Sequence, residues 1–402
     1  MGKNKYFTGQ PILNQLLSML DREDVNRIAS KQGSDHYYKH FKTYNHLVTM
    51  LYSVFSNCTS SREVVSGMRA CSNKLAHLGI FTTPARSTLC DANKKRCCEV
   101  FEQIYRHLYN KFQAVLPDSR SVKDLYILDS TTITLFQQIM KAAGRPQING
   151  RRKGGIKVHT LLKAAQDVPV RVAFSSGAAH DVGFLKLVPL QKGATVTFDK
   201  GYIDYRQYEQ WSQHCVYYVT RLKHGAQYQQ IGSFILNSSL RQQGVIDDQL
   251  VMLGHTTHKQ VTRTKARIVH YRHLNKAFYF LTNNFELSAL QVAQTYKRRW
   301  QIEMLFKRIK QNFPLKYFLG DNENAIKIQI WCVLIADLLL KVLSAKLTRK
   351  WAYANLVAIV RLHLMSYISL MGFLNDPDKF SQTNNSKQKQ LSLFNIGLYN
   401  SS

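Results

Sequence analysis

The 402-residue chain is longer than one ordinary core needs, so two or three domains are expected, and its 45% hydrophobic residues are enough to bury them. Its 55 Lys and Arg against 25 Asp and Glu leave a formal charge of +30, spread along the chain. Such a balance points to a polyanion, without choosing between DNA and RNA, and reads otherwise as a ribosome-associated or merely basic protein. The seven cysteines, odd in number and without C-x-x-C or zinc spacing, read as reduced thiols of a cytoplasmic protein rather than as a disulfide framework or zinc site. Neither the polar start nor the run Ile328 to Leu340, followed by Lys341 and interrupted by Asp337, reads as a signal or membrane span, so no membrane partner is expected.

In chain order, Pro11 to about Leu116 carries apolar residues at three- and four-residue spacing and predicts a helical segment. Within it Ser60-Ser-Arg-Glu-Val-Val, Leu78-Gly-Ile and Arg86-Ser-Thr-Leu read as helix, glycine turn and capped helix, the pattern of a DNA-reading pair or of a purely structural hairpin. After Pro117-Asp-Ser-Arg the period changes to strands: Leu125 to Leu128 ending at Asp129, Ile156 to Leu162, Val168 to Phe174, Ala194 to Phe198 ending at Asp199, and Val216 to Thr220. Helices are expected at His180 to Leu187 and Asp204 to His214, giving an α/β fold with a mixed sheet and flanking helices. Residues 222–286 read as a β-rich insertion, Ser288 to Asn312 as one long helix, and Ala325 to Leu347 and Ala352 to Leu374 as a helical C-terminal part. A polar tail follows from Asp376. The expected division is 1–118 all-α N-terminal and DNA-binding, 119–320 catalytic, 321–375 helical with a possible dimer contact, and 376–402 tail.

An acid at the end of an apolar strand brings its carboxylate to the sheet edge where ligands gather, and Asp129 and Asp199 both have this placement. Alone, either reads equally as a turn or cap residue. The third element joins them: Tyr296, Arg299, Glu303, Lys307 and Lys310 fall within roughly an 80° arc of a helix, with Ile302, Leu305, Phe306 and Ile309 on the other side. Six Lys or Arg against one Glu between Tyr296 and Asn312 would repel one another unless phosphates bind. Three carboxylates without His or Cys partners favour Mg²⁺, with Mn²⁺ as a substitute. Two such ions about 3.5–4 Å apart support in-line displacement at phosphorus. Arg151, Arg152, Lys153 and Lys157 form a further basic cluster that reads either as a phosphate contact or as a solvated loop, and His159 reads as a packed side chain or a neighbour of the site.

Together these residues resemble the DDE transposases of bacterial insertion sequences, specifically the insertion-sequence-4 family. Tyr296-x2-Arg299-x3-Glu303-x6-Lys310 fits that family's Tyr-Arg-Glu-Lys pattern at every spacing. Asp129-Ser-Thr, the Lys-Gly-Gly-Ile-Lys-x-His run ending at His159, His180-Asp181, Phe198-Asp199-Lys-Gly-Tyr202 and Leu281-Thr-Asn-Asn284 look like its other blocks, in its order. The resemblance implies an RNase H-like core in which Asp129, Asp199 and Glu303 bind two Mg²⁺ ions, and a β-rich insertion before the catalytic helix. It implies that Tyr296, Arg299 and Lys310 hold DNA near the cleaved end, with Lys200 standing where the family often has Arg. It further implies a homodimer holding two double-stranded element ends beside target DNA, in a bacterial, nucleoid-associated setting. Some relatives stack a flipped base on an insertion Trp; none lies between Trp211 and Trp300 here, which leaves Tyr228, Phe234 or Tyr271 as platforms. The rival readings are another RNase H-like nuclease and a catalytically inactive DNA-binding descendant.

Overall fold

A computed structural model describes residues 8–117, 124–134, 155–177, 181–257 and 260–379. The N-terminal segment is helical as expected: α1 (Ile12–Leu17), α2 (Arg22–Lys31), α3 (Thr43–Ser56), α4 (Ser61–Ala70), α5 (Ser72–Leu75), α6 (Arg86–Lys95) and α7 (Glu99–Phe112). Ser60 caps α4 by accepting from the Glu63 amide, while α6 begins at Ala85 without a side-chain cap, so the expected cap on the second helix is absent. Between α4 and α6 stand α5 and a 3₁₀ turn, Ala76–Leu78, closed by Gly79 at φ +69°, so the pair is not joined by one tight turn.

The strands are β1 (Leu125–Thr134), β2 (Gly155–Lys163), β3 (Val168–Ser176), β4 (Thr195–Phe198), β5 (Tyr217–Arg221), β6 (Tyr228–Ser233), β7 (Val245–Thr257), β8 (Gln260–His273) and β9 (Lys276–Thr282). They form one nine-stranded sheet in the order β3-β2-β1-β4-β5-β9-β8-β7-β6. β1, β4 and β5 are parallel neighbours, and the remaining pairings are antiparallel. The β-rich stretch, which also carries the short helix α9 (Ser238–Gln242), therefore extends the core sheet through β9. Thr282 and Asn283 fasten that junction. The Thr282 hydroxyl donates to the Tyr218 carbonyl at 2.6 Å, and Asn283 accepts from the Tyr218 amide at 2.8 Å while donating to the Val216 carbonyl at 2.9 Å.

Two apolar layers sandwich the sheet. Odd-numbered β1 residues such as Ile127 and Ile133 join a core shared with α1 to α7, with α11 (Trp300–Asn312) and with α12 (Glu323–Lys346). Even-numbered Leu128 joins Phe198, Tyr218 and the α8 (Tyr205–Gln213) residues Tyr208 and Trp211 on the opposite face. α10 (Ala289–Lys297) covers Val219, Val269 and Phe280. α12 alone is long and apolar enough to cross a membrane among the described residues, yet it runs through the core with Trp331, Cys332 and Leu340 buried. Its surface is thereby consumed, and α13 (Tyr353–Leu362) and α14 (Leu370–Asn375) are the more peripheral C-terminal helices, replacing the single helix expected over Ala352 to Leu374.

Three other expectations shift. β1 does not end at Asp129 but runs to Thr134, because Ser130 to Thr134 keep pairing with β2. The segment near His180 is a 3₁₀ helix, Asp181–Leu187, with His180 outside the described residues. The long helix over Ser288 to Asn312 is broken at Arg298 and Arg299: Ser288 and Gln291 form a capping box for α10, and Arg299 bonds back to the Tyr296 carbonyl at 2.9 Å in a tighter turn before α11 begins.

Candidate active site

The parallel register sets the first two acids side by side. Leu128 is paired with Phe198, so Asp129 and Asp199 are the next residues on adjacent strands, on the face that carries α10 and α11. α11 packs on this face through Ile302, Leu305 and Ile309, all buried, which turns Glu303 back toward β1.

Arg299, in the kink, joins the two elements. Its Nη1 donates to Asp129 Oδ2 at 2.9 Å and its Nη2 to Glu303 Oε1 at 2.5 Å. The Tyr296 hydroxyl donates to Asp199 Oδ1 at 3.3 Å, and Lys310 Nζ donates to the Thr131 hydroxyl at 2.7 Å on the same face of β1. Six residues of the predicted constellation, Asp129, Asp199, Tyr296, Arg299, Glu303 and Lys310, thus converge, with Tyr296 contributed by α10 rather than by one continuous helical face. Lys307 and Lys200 are exposed beside them.

Asp129 has its carboxyl pushed up to about 6. Burial is the largest cause and the charges of Asp199 and Glu303 add to it, while the Ser130 amide and Arg299 partly offset them. The Tyr296 phenol is raised, first by burial. Lys310 is lowered by the desolvation of its ammonium against β1.

The donor set, three carboxylates without nitrogen or sulfur, suits a hard divalent cation. Among the described residues no three acidic, His or Cys groups are drawn together at cation distance, since Arg299 occupies the space between Asp129 and Glu303. The Arg299 guanidinium therefore balances the charge that a cation would balance.

Other sequence candidates lie elsewhere. His159 is paired across the sheet with Ser130 and so points to the face away from Asp129, where its Nε2 meets the Ser175 hydroxyl at 2.7 Å and its ring stacks on Phe184 at 5.2 Å. Lys157, opposite Thr132, shares that face. Arg151, Arg152, Lys153, His180 and the Asp181 side chain lie outside the described residues.

The cation excess on α11 also has a structural part. Arg308 is turned inward, its Nη1 donating to Asp167 Oδ2 at 2.6 Å and its Nε to Asp337 Oδ1 at 3.3 Å, with the Tyr353 hydroxyl on Asp337 at 2.6 Å. Lys341 completes the cluster by pairing with Asp167 at 2.5 Å. A count of charges along the helix cannot separate this tie from a phosphate contact; the buried Asp337 within the apolar run of α12 was its only signal.

Beside Arg299 opens a cavity of about 830 Å³ whose lining includes Tyr271, Phe278, Tyr296, Lys297, Trp300 and Met304. Of the three expected platforms Tyr271 lines it, whereas Phe234 lies 4.4 Å beneath the Arg267 guanidinium and Tyr228 stands on the edge strand β6.

Known proteins share these features. Residues 120–339 match the family described as Transposase DDE domain, and residues 8–81 match a domain of unknown function (DUF4372). The chain is 30% identical over 272 residues to a Sinorhizobium fredii protein named as a transposase, y4zB, covering 66% of this chain and 73% of that one. A Synechocystis protein named as a transposase of insertion sequence element IS4SA is 26% identical over 267 residues, 64% of this chain and 71% of its own. Among solved structures, a piggyBac transposase synaptic complex with hairpin DNA aligns with 93% of this chain and 82% of its own at 11% identity and a TM-score of 0.42, too low to argue from. Because the family match spans more than half of the chain and includes Asp129, Asp199 and Glu303, the protein belongs to the DDE transposases.

Proposed function

We propose that the chain is a cut-and-paste transposase of the insertion-sequence-4 type, which binds the terminal inverted repeats of its own element, hydrolyses the DNA ends and joins the freed 3′-hydroxyls to target DNA. The observation that carries this reading is the convergence of Asp129, Asp199 and Glu303 with Tyr296, Arg299 and Lys310 from sites up to 181 positions apart in sequence, on one face of the sheet. The strand order β3-β2-β1-β4-β5, in which β2 alone runs antiparallel to the other four, supports an RNase H-like core.

Asp129, Asp199 and Glu303 would hold Mg²⁺, or Mn²⁺ in its place. A cation held there would supply Lewis-acid activation of the attacking water or 3′-hydroxyl and charge stabilisation of the leaving oxygen. The chain's own residues do the rest. Arg299, once released from Asp129 and Glu303, offers its planar fork to a backbone phosphate, a geometry that Lys310 and Lys307 cannot supply and complement as point charges. Tyr296 keeps Asp199 oriented through its hydroxyl. Helices within residues 1–118 read the repeats, residues 119–320 cut, and α13 and α14 offer a contact for a second copy, since two ends must be held together. Work on DNA at the bacterial nucleoid, in the cytoplasm, follows.

The test is a Mg²⁺-dependent cleavage and strand-transfer assay on duplexes carrying the element's own ends, comparing wild type with Glu303→Gln. End-specific cuts and joined products, both lost in the variant, are expected. Nonspecific nicking would favour the general nuclease, and specific binding without cutting in Mn²⁺ would favour the inactive descendant.

A further inference from the structure

The strand-end row that holds Asp129 and Asp199 has a third position. Thr195, Val196 and Thr197 of β4 pair in parallel with Tyr217, Tyr218 and Val219 of β5. The register therefore sets Arg221 level with Asp199, as Asp199 is level with Asp129. Alternation along β5 puts Tyr218 in the α8 layer and Val219 in the α10 layer, so Arg221 lies on the α10 face, the face of both acids.

Its surroundings agree with the register. The guanidinium carbon lies 5.5 Å from the centre of the Phe278 ring, one of the walls of the cavity beside Arg299. Its charge acts on the Tyr296 phenol, whose hydroxyl is held by Asp199. Arg221 is half-buried and makes no ion pair with a described residue, whereas Arg299 is balanced by two carboxylates and Arg308 by two more. A half-buried guanidinium with an aromatic wall on one side and no carboxylate of a described residue within ion-pair distance has donors left for an anion, and its five donors suit a phosphodiester.

We propose that Arg221 is a substrate-binding residue that grips a phosphodiester oxygen of the DNA strand beside Asp199, so that cations flank the acids on both sides: Arg299 and Lys310 from the helices, Arg221 from the sheet. This rests on the DNA-cutting function above, but it is tested apart from it. The affinity of a fluorescent duplex carrying the element's end is measured against salt for Glu303→Gln protein with Arg221, with Arg221→Gln and with Arg221→Lys.

Loss of one phosphate contact lowers the slope of log affinity on log salt by about 0.9, and the Lys variant keeps the slope because a point charge remains. In the cleavage-competent protein Arg221→Gln is expected to cut about 10²-fold more slowly at saturating DNA, with Lys recovering only part because the fork is gone. An unchanged salt slope in Arg221→Gln protein that melts like its parent overturns the assignment, whatever the cleavage assay returns. If instead Glu303→Gln leaves cutting intact, the triad fails while the slope still decides the role of Arg221.

Discussion

Asn in place of Asp129 is expected to abolish DNA cleavage and, in the absence of divalent cations, to make the folded protein more stable at neutral pH. The two effects share one cause. In the folded protein this carboxyl is pushed from its ordinary 3.8 to about 6, by burial first and then by Asp199 and Glu303. Folding therefore favours the protonated form, and ionisation works against the fold. The contribution of Asp129 to wild-type stability is fully present below about pH 4, falls as pH rises through the interval up to about 6, and stays reduced above it. The shift corresponds to on the order of 1–3 kcal/mol at pH 7. Asn cannot ionise, so its advantage opens between pH 4 and 6 and is flat beyond. Melting curves for both proteins at pH 4, 5, 6 and 7, with cleavage assayed in parallel, check this. A variant less stable than wild type at pH 7 would remove the electrostatic account, and residual end cleavage would remove Asp129 from the triad.

Arg308→Met is the substitution expected to damage the fold most. Arg308 and Lys341 face Asp167 and Asp337 in a neutral, enclosed group, and Asp337 is only 2% exposed. Burial pushes the Asp167 carboxyl up, but Lys341 and Arg308 outweigh it and hold its pKa below the ordinary value. Removing Arg308 leaves an uncompensated buried carboxylate, a loss of about 3–5 kcal/mol. The group also ties α11 to α12 and to the turn after β2, so cleavage should fall along with stability. Pairing Arg308→Met with Asp337→Asn restores neutrality and is expected to recover most of the melting temperature; if the double variant melts no higher than the single one, charge balance is not what the cluster provides.

The acids were readable because strand-ending carboxylates and a fixed helical spacing both leave one-dimensional traces. Asp199 and Glu303 stand where that reading put them, and Asp129 reaches the same level although its strand continues. What the spacing could not convey was the break at Arg298 and Arg299, which depends on tertiary packing of α10 over Val219 and Phe280. Nor could it separate Arg308, whose partners are 141 and 29 residues away, from Lys307 beside it. Arg221 went unnoticed because its significance lies wholly in sheet register, and register is fixed by partners rather than by the strand itself. His159 shows the same lesson in reverse: one residue of offset across β1 and β2 sends it to the far side.

The junction of β5 with β9 makes the whole sheet a single plate. With strands spaced about 4.8 Å apart, the six intervals from β1 to β6 span roughly 29 Å, the rise of about eight base pairs of duplex. Between the acids and that far edge there is continuous strand pairing, not a linker. The insertion is consequently continuous with the core sheet, so that under the proposed function any contact it makes with a DNA duplex lies at a set remove from the three acids, as a ruler fixes a distance.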